Sequence, residues 1–250
     1  MSSFDLTFIG IQKENFPTDK LAAAYSRGLV LDLDKELLRY VFLLKEAKHR
    51  GFFENNDLSM SNVAVTQQPL LTWSFLDFMA TRKLDDQNLV ELGCGNSTVW
   101  FGQRFKSVRS FETDPRWIEL VTKKVPSNVT VTQITRAELE SASFSFSSSD
   151  WLLVDFAGNR TCFLESMLHK GVKPSHIILD NSDWYRMGAS LLIDSGYTEI
   201  PFFGFKSSQT WISCTSIFLL GLPSMLKEGT FETPQNARAI NNSWDKLDSS

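Results

Sequence analysis

From residue 88 onward, short apolar segments alternate with segments whose apolar residues recur at helical spacing. The segments with strand character are Leu89–Leu92, Val108–Phe111, Val129–Val131, Trp151–Val154 and Ile177–Leu179. The segments with helical character are Val99–Phe105, Pro115–Lys124, Cys162–Lys170 and Trp184–Ser195, and the Ser-rich stretch 141–149 indicates a loop or a weak helix. This alternation predicts βαβ units and a parallel sheet with helices on both faces.

The last two apolar segments differ from the earlier ones because no helical segment separates them. Thr198–Phe205 and Ser213–Leu220 both have strand character, and only a short connection beginning at Lys206 separates them. A parallel crossover needs a dozen or more residues, so these strands must form an antiparallel hairpin. The predicted fold is therefore α/β: a doubly wound, mostly parallel, seven-stranded Rossmann-like sheet that ends in an antiparallel hairpin.

The residues before the sheet have helical patterns. An amphipathic helix is predicted around Leu31 to Lys48, where Leu37, Leu38, Val41 and Leu44 share a face. A second helix is predicted after Pro69, with Pro69 in its first turn. We divide the chain into an N-terminal helical extension (1–66), a main domain (67–222) and a C-terminal tail (223–250).

Composition narrows the class of protein. With 250 residues, 42% of them hydrophobic and 22% charged, the chain can bury a sizeable core. A net charge of −4 lacks the basic footprint of a protein that grips nucleic acid through phosphates, so no nucleic-acid partner is favoured. Three cysteines without paired spacing indicate neither a disulfide framework nor a zinc site. No signal peptide or long apolar run is present, which predicts a cytoplasmic protein without a membrane partner; the oligomeric state stays open.

The most informative motif stands where the first strand of the sheet meets a helix. It reads Val-Glu-Leu-Gly-Cys-Gly-Asn-Ser-Thr, from Val90 to Thr98. Gly93 and Gly95 permit a tight turn that lets a ligand lie against the backbone, beside the unpaired N–H groups of the helix. Glu91 can bind a cationic ligand or hold the turn in shape.

An acidic residue closes the second strand about 20 residues later. Glu112 follows the apolar segment directly, in the position where a carboxylate accepts hydrogen bonds from both ribose hydroxyls of a nucleoside. Asp114 precedes Pro115 and is predicted to cap the next helix. The spacing of the two acids favours a nucleoside-containing ligand.

These features together resemble the class I S-adenosylmethionine-dependent methyltransferases, over roughly Gln67 to Leu220. The turn is similar to a subgroup with Gly-x-Gly-Asn-Ser-Thr that includes plant glucuronoxylan O-methyltransferases, and it departs from the commoner pattern at Ser97, where a third Gly is usual. The resemblance implies S-adenosylmethionine as cofactor. The cofactor-binding residues that it implies are Gln68, Glu91, Gly93, Gly95, Asn96, Ser97, Glu112, Thr113, Arg136 and Asp155.

Two further strand ends are polar and suggest where the chemistry takes place. Asp155 follows the fourth strand, and Asp180 and Asn181 follow the fifth. Asp155 can serve as a general base, with Asp180 as a second catalytic candidate; alternatively Asp155, Asp180 and Asn181 are hard oxygen ligands that suit Mg²⁺. The latter arrangement resembles catechol O-methyltransferase and its relatives. Those proteins carry a Lys near the fourth-strand Asp, where this chain has Asn159 and Arg160, so the base stays undetermined.

Several functions fit this sequence. The leading hypothesis is methyl transfer to an oxygen of a sugar or other small hydroxylated acceptor, with or without Mg²⁺. The alternatives are a non-catalytic module that binds S-adenosylmethionine or a nucleoside, and an aminopropyltransferase on the same fold. Aromatic residues that can stack on a ring, or else fill the core, are Trp73, Trp184, Phe202, Phe203 and Trp211.

Overall fold

The computed structural model describes residues 43–50, 68–147, 150–207, 209, 211–221 and 244–245. Residues 43–49 are helical and belong to a separate compact unit from the one that begins at Arg50. Only Leu44 of the four residues on the predicted N-terminal helix face lies within the described part. The predicted domain boundaries after residues 66 and 222 also lie outside the described residues. Within the described ranges, no helix is long and apolar enough to cross a membrane.

Helices and strands alternate along the described part of the second unit. The helices are α1 (Trp73–Ala80), α2 (Asn96–Gly102), α3 (Pro115–Thr122), α4 (Arg136–Glu140), α5 (Arg160–His169) and α6 (Arg186–Asp194). The strands are β1 (Leu84–Leu92), β2 (Phe105–Glu112), β3 (Val129–Gln133), β4 (Trp151–Val154), β5 (His176–Asp180), β6 (Tyr197–Gly204) and β7 (Ser213–Leu220).

All seven strands form one sheet in the order β3-β2-β1-β4-β5-β7-β6. The first five strands are parallel to one another, whereas β7 runs antiparallel to both β5 and β6. The predicted mixed sheet with its terminal antiparallel hairpin is confirmed. This is also the fold implied by the resemblance to class I methyltransferases. The strand order reverses between β1 and β4, so the carboxyl ends of these two parallel strands open onto a crevice.

The sheet is packed on both faces because its central strands alternate between two hydrophobic layers. Leu89, Leu153 and Ile178 point to the layer that contains α1, whereas Val90 and Leu152 point to the opposite layer. Burial on both faces explains why these strands have continuous apolar segments rather than alternating ones. The core residues of the second layer that come from α5 and α6 are Phe163, Leu164, Met167, Ala189 and Leu192.

Several predicted element boundaries differ from the structure by a few residues, and at two of them the physical reason is clear. The helix predicted to reach Phe105 ends at Gly102, and Phe105 instead begins β2 beside Leu84, with its ring 5.8 Å from that of Trp151 in the core. Pro69 is not in the first turn of α1, which begins at Trp73. The backbone N–H of Trp73 donates to the Phe205 carbonyl at 2.9 Å, so the preceding residues are held against the hairpin. Tertiary contacts override local helical propensity at both places.

Candidate functional site

A cleft of about 650 Å³ opens at the carboxyl ends of the parallel strands. Its walls come from the residues that follow β1, β2, β4 and β5 and from the β6–β7 connection. The lining residues that carry the argument are Gly93, Cys94, Glu112, Thr113, Arg136, Asp155, Arg160, Asp180, Asn181, Trp184, Lys206, Gln209 and Trp244. Of the predicted set, Gln68, Glu91, Gly95, Asn96 and Ser97 do not line this cleft, although they lie before α1 or in the turn beside it.

The two turn glycines have different physical roles. Gly93 has φ +93°, and a Cβ placed there would approach the backbone oxygen of Asp155 to 2.5 Å. Glycine is therefore required at residue 93 by the contact between the turn and the chain after β4. Gly95 has an extended backbone, and no atom lies within 4 Å of where its Cβ would be. The open space beside residue 95 is free to receive a ligand.

Glu91 lies beneath the turn and is completely buried. Its Oε1 accepts a hydrogen bond of 2.6 Å from the Ser97 hydroxyl, and the neighbouring Thr98 hydroxyl accepts one of 2.9 Å from the Gly95 N–H. Burial raises the pKa of Glu91 to about 7. Ser97, which stands where a third glycine is usual, thus hydrogen-bonds one oxygen of a buried carboxyl group, while Glu91 Oε2 has no hydrogen-bond partner among the described residues.

Glu112 connects the end of β2 to the glycine turn. Its Oε2 accepts from the Cys94 N–H at 2.9 Å, while its Oε1 accepts from the N–H groups of Thr113 and Asp114 at 2.6 and 2.8 Å. Backbone donors therefore fix the carboxylate at the cleft wall. The neighbouring Asp114 caps α3 as predicted, accepting from the Arg116 N–H at 2.9 Å.

The cleft wall beyond β3 contains a cation and an indole. Arg136 donates to the Ala157 carbonyl at 2.9 Å, and its guanidinium lies 5.9 Å from the ring centre of Trp244. Next to that indole, Asp245 accepts from the Met187 N–H at 2.9 Å and from the Thr161 hydroxyl at 2.6 Å. Asp245 thus holds Trp244 at the cleft by bonding to the start of α6 and to α5.

Asp155 stands at the end of β4 with its side chain 22% exposed. Its Oδ1 forms an ion pair of 2.9 Å with Arg160, which also donates to the carbonyl of Asp180 at 2.6 Å. Burial and the negative charge of Asp180 raise the pKa of Asp155 to about 7, against the opposing effect of Arg160. The carboxyl group is accessible from the cleft and able to change protonation state near neutral pH.

Asp180 is buried and fully engaged. Its Oδ2 lies 2.5 Å from the Lys206 ammonium and its Oδ1 accepts from the Thr215 hydroxyl at 2.7 Å. The Asn181 amide forms hydrogen bonds with both neighbouring side chains in one of its two orientations. In that orientation its oxygen accepts from Lys206 at 3.0 Å and its nitrogen donates to Asp180 at 2.9 Å. The side chains at the fifth strand end therefore form a closed network around an ammonium group.

This network does not fit the predicted magnesium site. Asp155 is paired with Arg160 and Asp180 with Lys206, so both proposed carboxylate ligands already have cationic partners. Across the described residues, no group of three or more His, Cys, Asp or Glu residues is suited to a metal ion. The residues present therefore argue against Mg²⁺ at this position.

Sequence reasoning missed Lys206, and also Gln209 and Trp244, which line the same cleft. Lys206 stands in the short connection between β6 and β7, and nothing in its local pattern distinguishes it from a solvated loop lysine. Only the antiparallel pairing of β7 with β5 brings the connection back to the end of β5. Of the aromatic candidates, Trp184 lines the cleft, whereas Phe202 packs 5.8 Å from Phe75 in the core.

Comparison with known proteins finds similarity only among solved structures, since no family model and no curated protein matches the sequence. A dimethyladenosine transferase from Plasmodium falciparum is 16% identical to this chain, with a TM-score of 0.45. The match covers 61% of this chain and 63% of the transferase, so this chain spans less than two thirds of the length of that protein. A precorrin-6y C5,15-methyltransferase from Geobacter metallireducens is 15% identical with a TM-score of 0.46, covering 61% and 93% of the two chains. A provisionally assigned caffeoyl-CoA O-methyltransferase from Staphylococcus aureus is 15% identical with a TM-score of 0.47, covering 73% and 98%.

Proposed function

We propose that this protein transfers the methyl group of S-adenosylmethionine to a hydroxyl oxygen of a small acceptor such as a sugar. The observation that carries the proposal is the convergence of the glycine turn, Glu112 and Asp155 on one cleft. Ligands of open α/β sheets bind beyond the carboxyl ends of the strands, where these residues stand. The cleft volume of about 650 Å³ lies in the range of small-molecule sites.

The residues beside the turn fit the cofactor. Gly93 and Cys94 line the cleft, so a ligand there can lie against the backbone of the turn, and backbone N–H groups fix the Glu112 carboxylate beside them. Gly93 and Cys94 would line the methionine part, with Glu112 and Thr113 at the ribose and Arg136 with Trp244 towards the base. Bound S-adenosylmethionine would supply a methyl group on a sulfonium, which is already electrophilic.

Other residues that line the cleft suit a hydroxylated acceptor. The buried side-chain oxygen of Gln209 has no hydrogen-bond partner within the described part of the chain, so it can accept from a ligand hydroxyl. Trp184 also lines the cleft and offers an aromatic surface suitable for stacking on a ring. Asp155 lines the same cleft.

Asp155 is the proposed general base. Methyl transfer needs the acceptor to be aligned and its proton removed, and a base works best when its pKa lies near the working pH. The partly exposed Asp155 carboxylate would take the hydroxyl proton, while its ion pair with Arg160 fixes its orientation. Asp180, which is closed off by Lys206 and Thr215, would act by positioning its neighbours rather than by touching the acceptor.

Calorimetry with S-adenosylhomocysteine tests cofactor binding, and a panel of methyl acceptors with S-adenosylhomocysteine release as readout tests catalysis. We expect micromolar binding, and turnover with sugars or other hydroxylated compounds. Absence of binding at high micromolar ligand would refute the cofactor assignment. Binding without turnover on any acceptor indicates a non-catalytic module, and turnover with amines alone would show that the assignment to oxygen is wrong.

A further inference from the structure

The Lys206 ammonium lies among the groups that the sequence suggests as metal ligands. It contacts Asp180 Oδ2 at 2.5 Å and lies 3.0 Å from the Asn181 amide, whose oxygen faces it in the orientation that satisfies both groups, and its positive charge also acts on Asp155. The side chains of Lys206 and Asp180 are each only 2% exposed. An ion pair that is so fully removed from water is not a solvated loop contact.

Each carboxylate proposed as a metal ligand already has a cation in direct contact with it, and a third buried carboxyl group, Asp183, also interacts with Lys206 and Asp180. Asp155 and Asp180 carry two negative charges when ionised, and Arg160 and Lys206 carry two positive charges in direct contact with them. A divalent cation added here would meet two cations at close range. It would also have to compete with Lys206 for Asp180, whose two oxygens are already bonded. These contacts therefore disfavour a metal ion while Lys206 is present.

The backbone holds Lys206 in place. The preceding residue, Phe205, accepts a hydrogen bond of 2.9 Å from the Trp73 N–H, and the Lys206 carbonyl accepts one of 3.2 Å from the Gln209 N–H. Thr215, which bonds Asp180, also accepts from the Thr72 N–H at 3.1 Å. The start of α1 therefore fixes the hairpin end that delivers the ammonium.

The geometry points to Lys206 as a built-in replacement for a divalent cation at Asp180 and Asn181, so that this site works without metal. The lysine supplies the positive charge that keeps Asp180 and Asn181 ordered. The role of Lys206 in catalysis rests on the proposed methyl transfer. The effect of Lys206 on metal binding does not depend on that proposal.

The test is titration of the full-length protein with Mn²⁺ alone, following free Mn²⁺ by electron paramagnetic resonance. We expect the unaltered protein to show no specific site tighter than about 1 mM. Lys206→Met removes the ammonium but keeps most of the stem, leaving Asp180 and Asn181 available beside Asp155. This variant is expected to bind one Mn²⁺ at least about tenfold more tightly. Lys173→Met, the same change at an exposed lysine, is the matched control and should bind as the unaltered protein does.

Two outcomes would overturn the inference. One is a stoichiometric Mn²⁺ site in the unaltered protein that Asp180→Asn abolishes; the other is a folded Lys206→Met protein that gains no site. If Lys206→Met does not fold, the titration of the unaltered protein and of Asp180→Asn decides alone. Because Mn²⁺ titration uses neither cofactor nor acceptor, its result is distinguishable from failure of the proposed methyl transfer, which S-adenosylhomocysteine binding reports. Activity, once an acceptor is known, should be indifferent to chelator.

Discussion

Gly93 and Asp155 are in direct backbone contact: a Cβ on Gly93 would come within 2.5 Å of the Asp155 carbonyl oxygen. The Asp155 N–H in turn donates to the Leu92 carbonyl at 3.0 Å. These backbone contacts position the glycine turn, which is proposed to hold the cofactor, relative to Asp155, which is the proposed base. Movement of either segment would change the distance between the bound methyl donor and the group that deprotonates the acceptor.

Gly93→Ala should destabilise the fold, because it adds both a clash with Asp155 and a side chain at φ +93°. We expect a loss of at least about 2 kcal/mol in the free energy of unfolding, measured by denaturant titration. Gly95→Ala is the matched control. Its Cβ meets no atom of the other described residues within 4 Å, and residue 95 does not line the cleft, so the substitution should cost much less stability. Equal destabilisation by both substitutions would contradict this assignment of roles.

Glu112→Gln should weaken cofactor binding. The amide NH₂ would face one of the backbone N–H groups that the carboxylate now accepts from, at Cys94 or at Thr113 and Asp114. A buried donor left without an acceptor costs about 1–3 kcal/mol of stability. Because the substitution also removes the charged acceptor proposed for the ribose hydroxyls, we expect about tenfold weaker S-adenosylhomocysteine binding in calorimetry. Glu119→Gln removes an equal charge from an exposed helix position and should leave binding unchanged.

The pH dependence of activity should report Asp155. Since burial and Asp180 raise its pKa to about 7, and a general base acts in its deprotonated form, kcat/KM should rise with pH through about 7 and then level. Asp155→Asn should lower kcat about 10²-fold or more and remove this rise, while S-adenosylhomocysteine affinity changes little. A variant that keeps the rise would show that another group is the base.

Stability should depend on pH through Glu91. Its pKa is about 7 in the folded protein against an ordinary value of 4.5, so the folded protein retains a proton that the unfolded chain releases between those values. The stabilisation from this proton is complete below pH 4.5 and is lost as the pH rises to about 7. The loss is on the order of 3 kcal/mol.

Glu91→Gln should remove this contribution, because a neutral amide is not ionised at any of these pH values. Urea unfolding between pH 5 and 8 should show a smaller decline of stability in the variant, which becomes the more stable protein at pH 8. Asp85→Asn, a change at an exposed acid of β1, should keep the decline of the unaltered protein. Parallel declines for all three proteins would refute the assigned pKa of Glu91.

Asp245→Ala should weaken cofactor binding from a distance. The substitution removes the acceptor of the Met187 N–H and the Thr161 hydroxyl, and thereby releases Trp244 from the cleft wall. We expect a stability loss of about 1 kcal/mol, as for other helix caps, together with weaker S-adenosylhomocysteine binding. Trp244→Ala should reproduce the loss of binding with little loss of stability. If neither changes the affinity, Trp244 does not contact the ligand.

The sequence by itself determined the strands, their alternation with helices and the closing hairpin. Strand and helix periodicities are local, and the connection from Lys206 is too short for a crossover, so these features follow from neighbouring residues. The turn at Gly93 and the acid Glu112 were identifiable for the same reason. The end of the helix predicted to reach Phe105 and the start of the helix predicted at Pro69 could not be identified from the sequence. Packing of Phe105 against Trp151 sets the first boundary, and the hydrogen bond of α1 to the hairpin sets the second.

Only the tertiary structure decided the chemistry of the acidic strand ends. Read along the chain, Asp155, Asp180 and Asn181 are suitable oxygen ligands for a metal, because nothing nearby in sequence neutralises the buried Asp180. Lys206 lies 26 residues after Asp180, and it reaches that carboxylate because β7 pairs antiparallel with β5. A long-range strand pairing thus places the Lys206 ammonium where the local sequence predicts a bound metal ion. The physical reason is that charge compensation depends on distance in space, which spacing along the chain does not reveal.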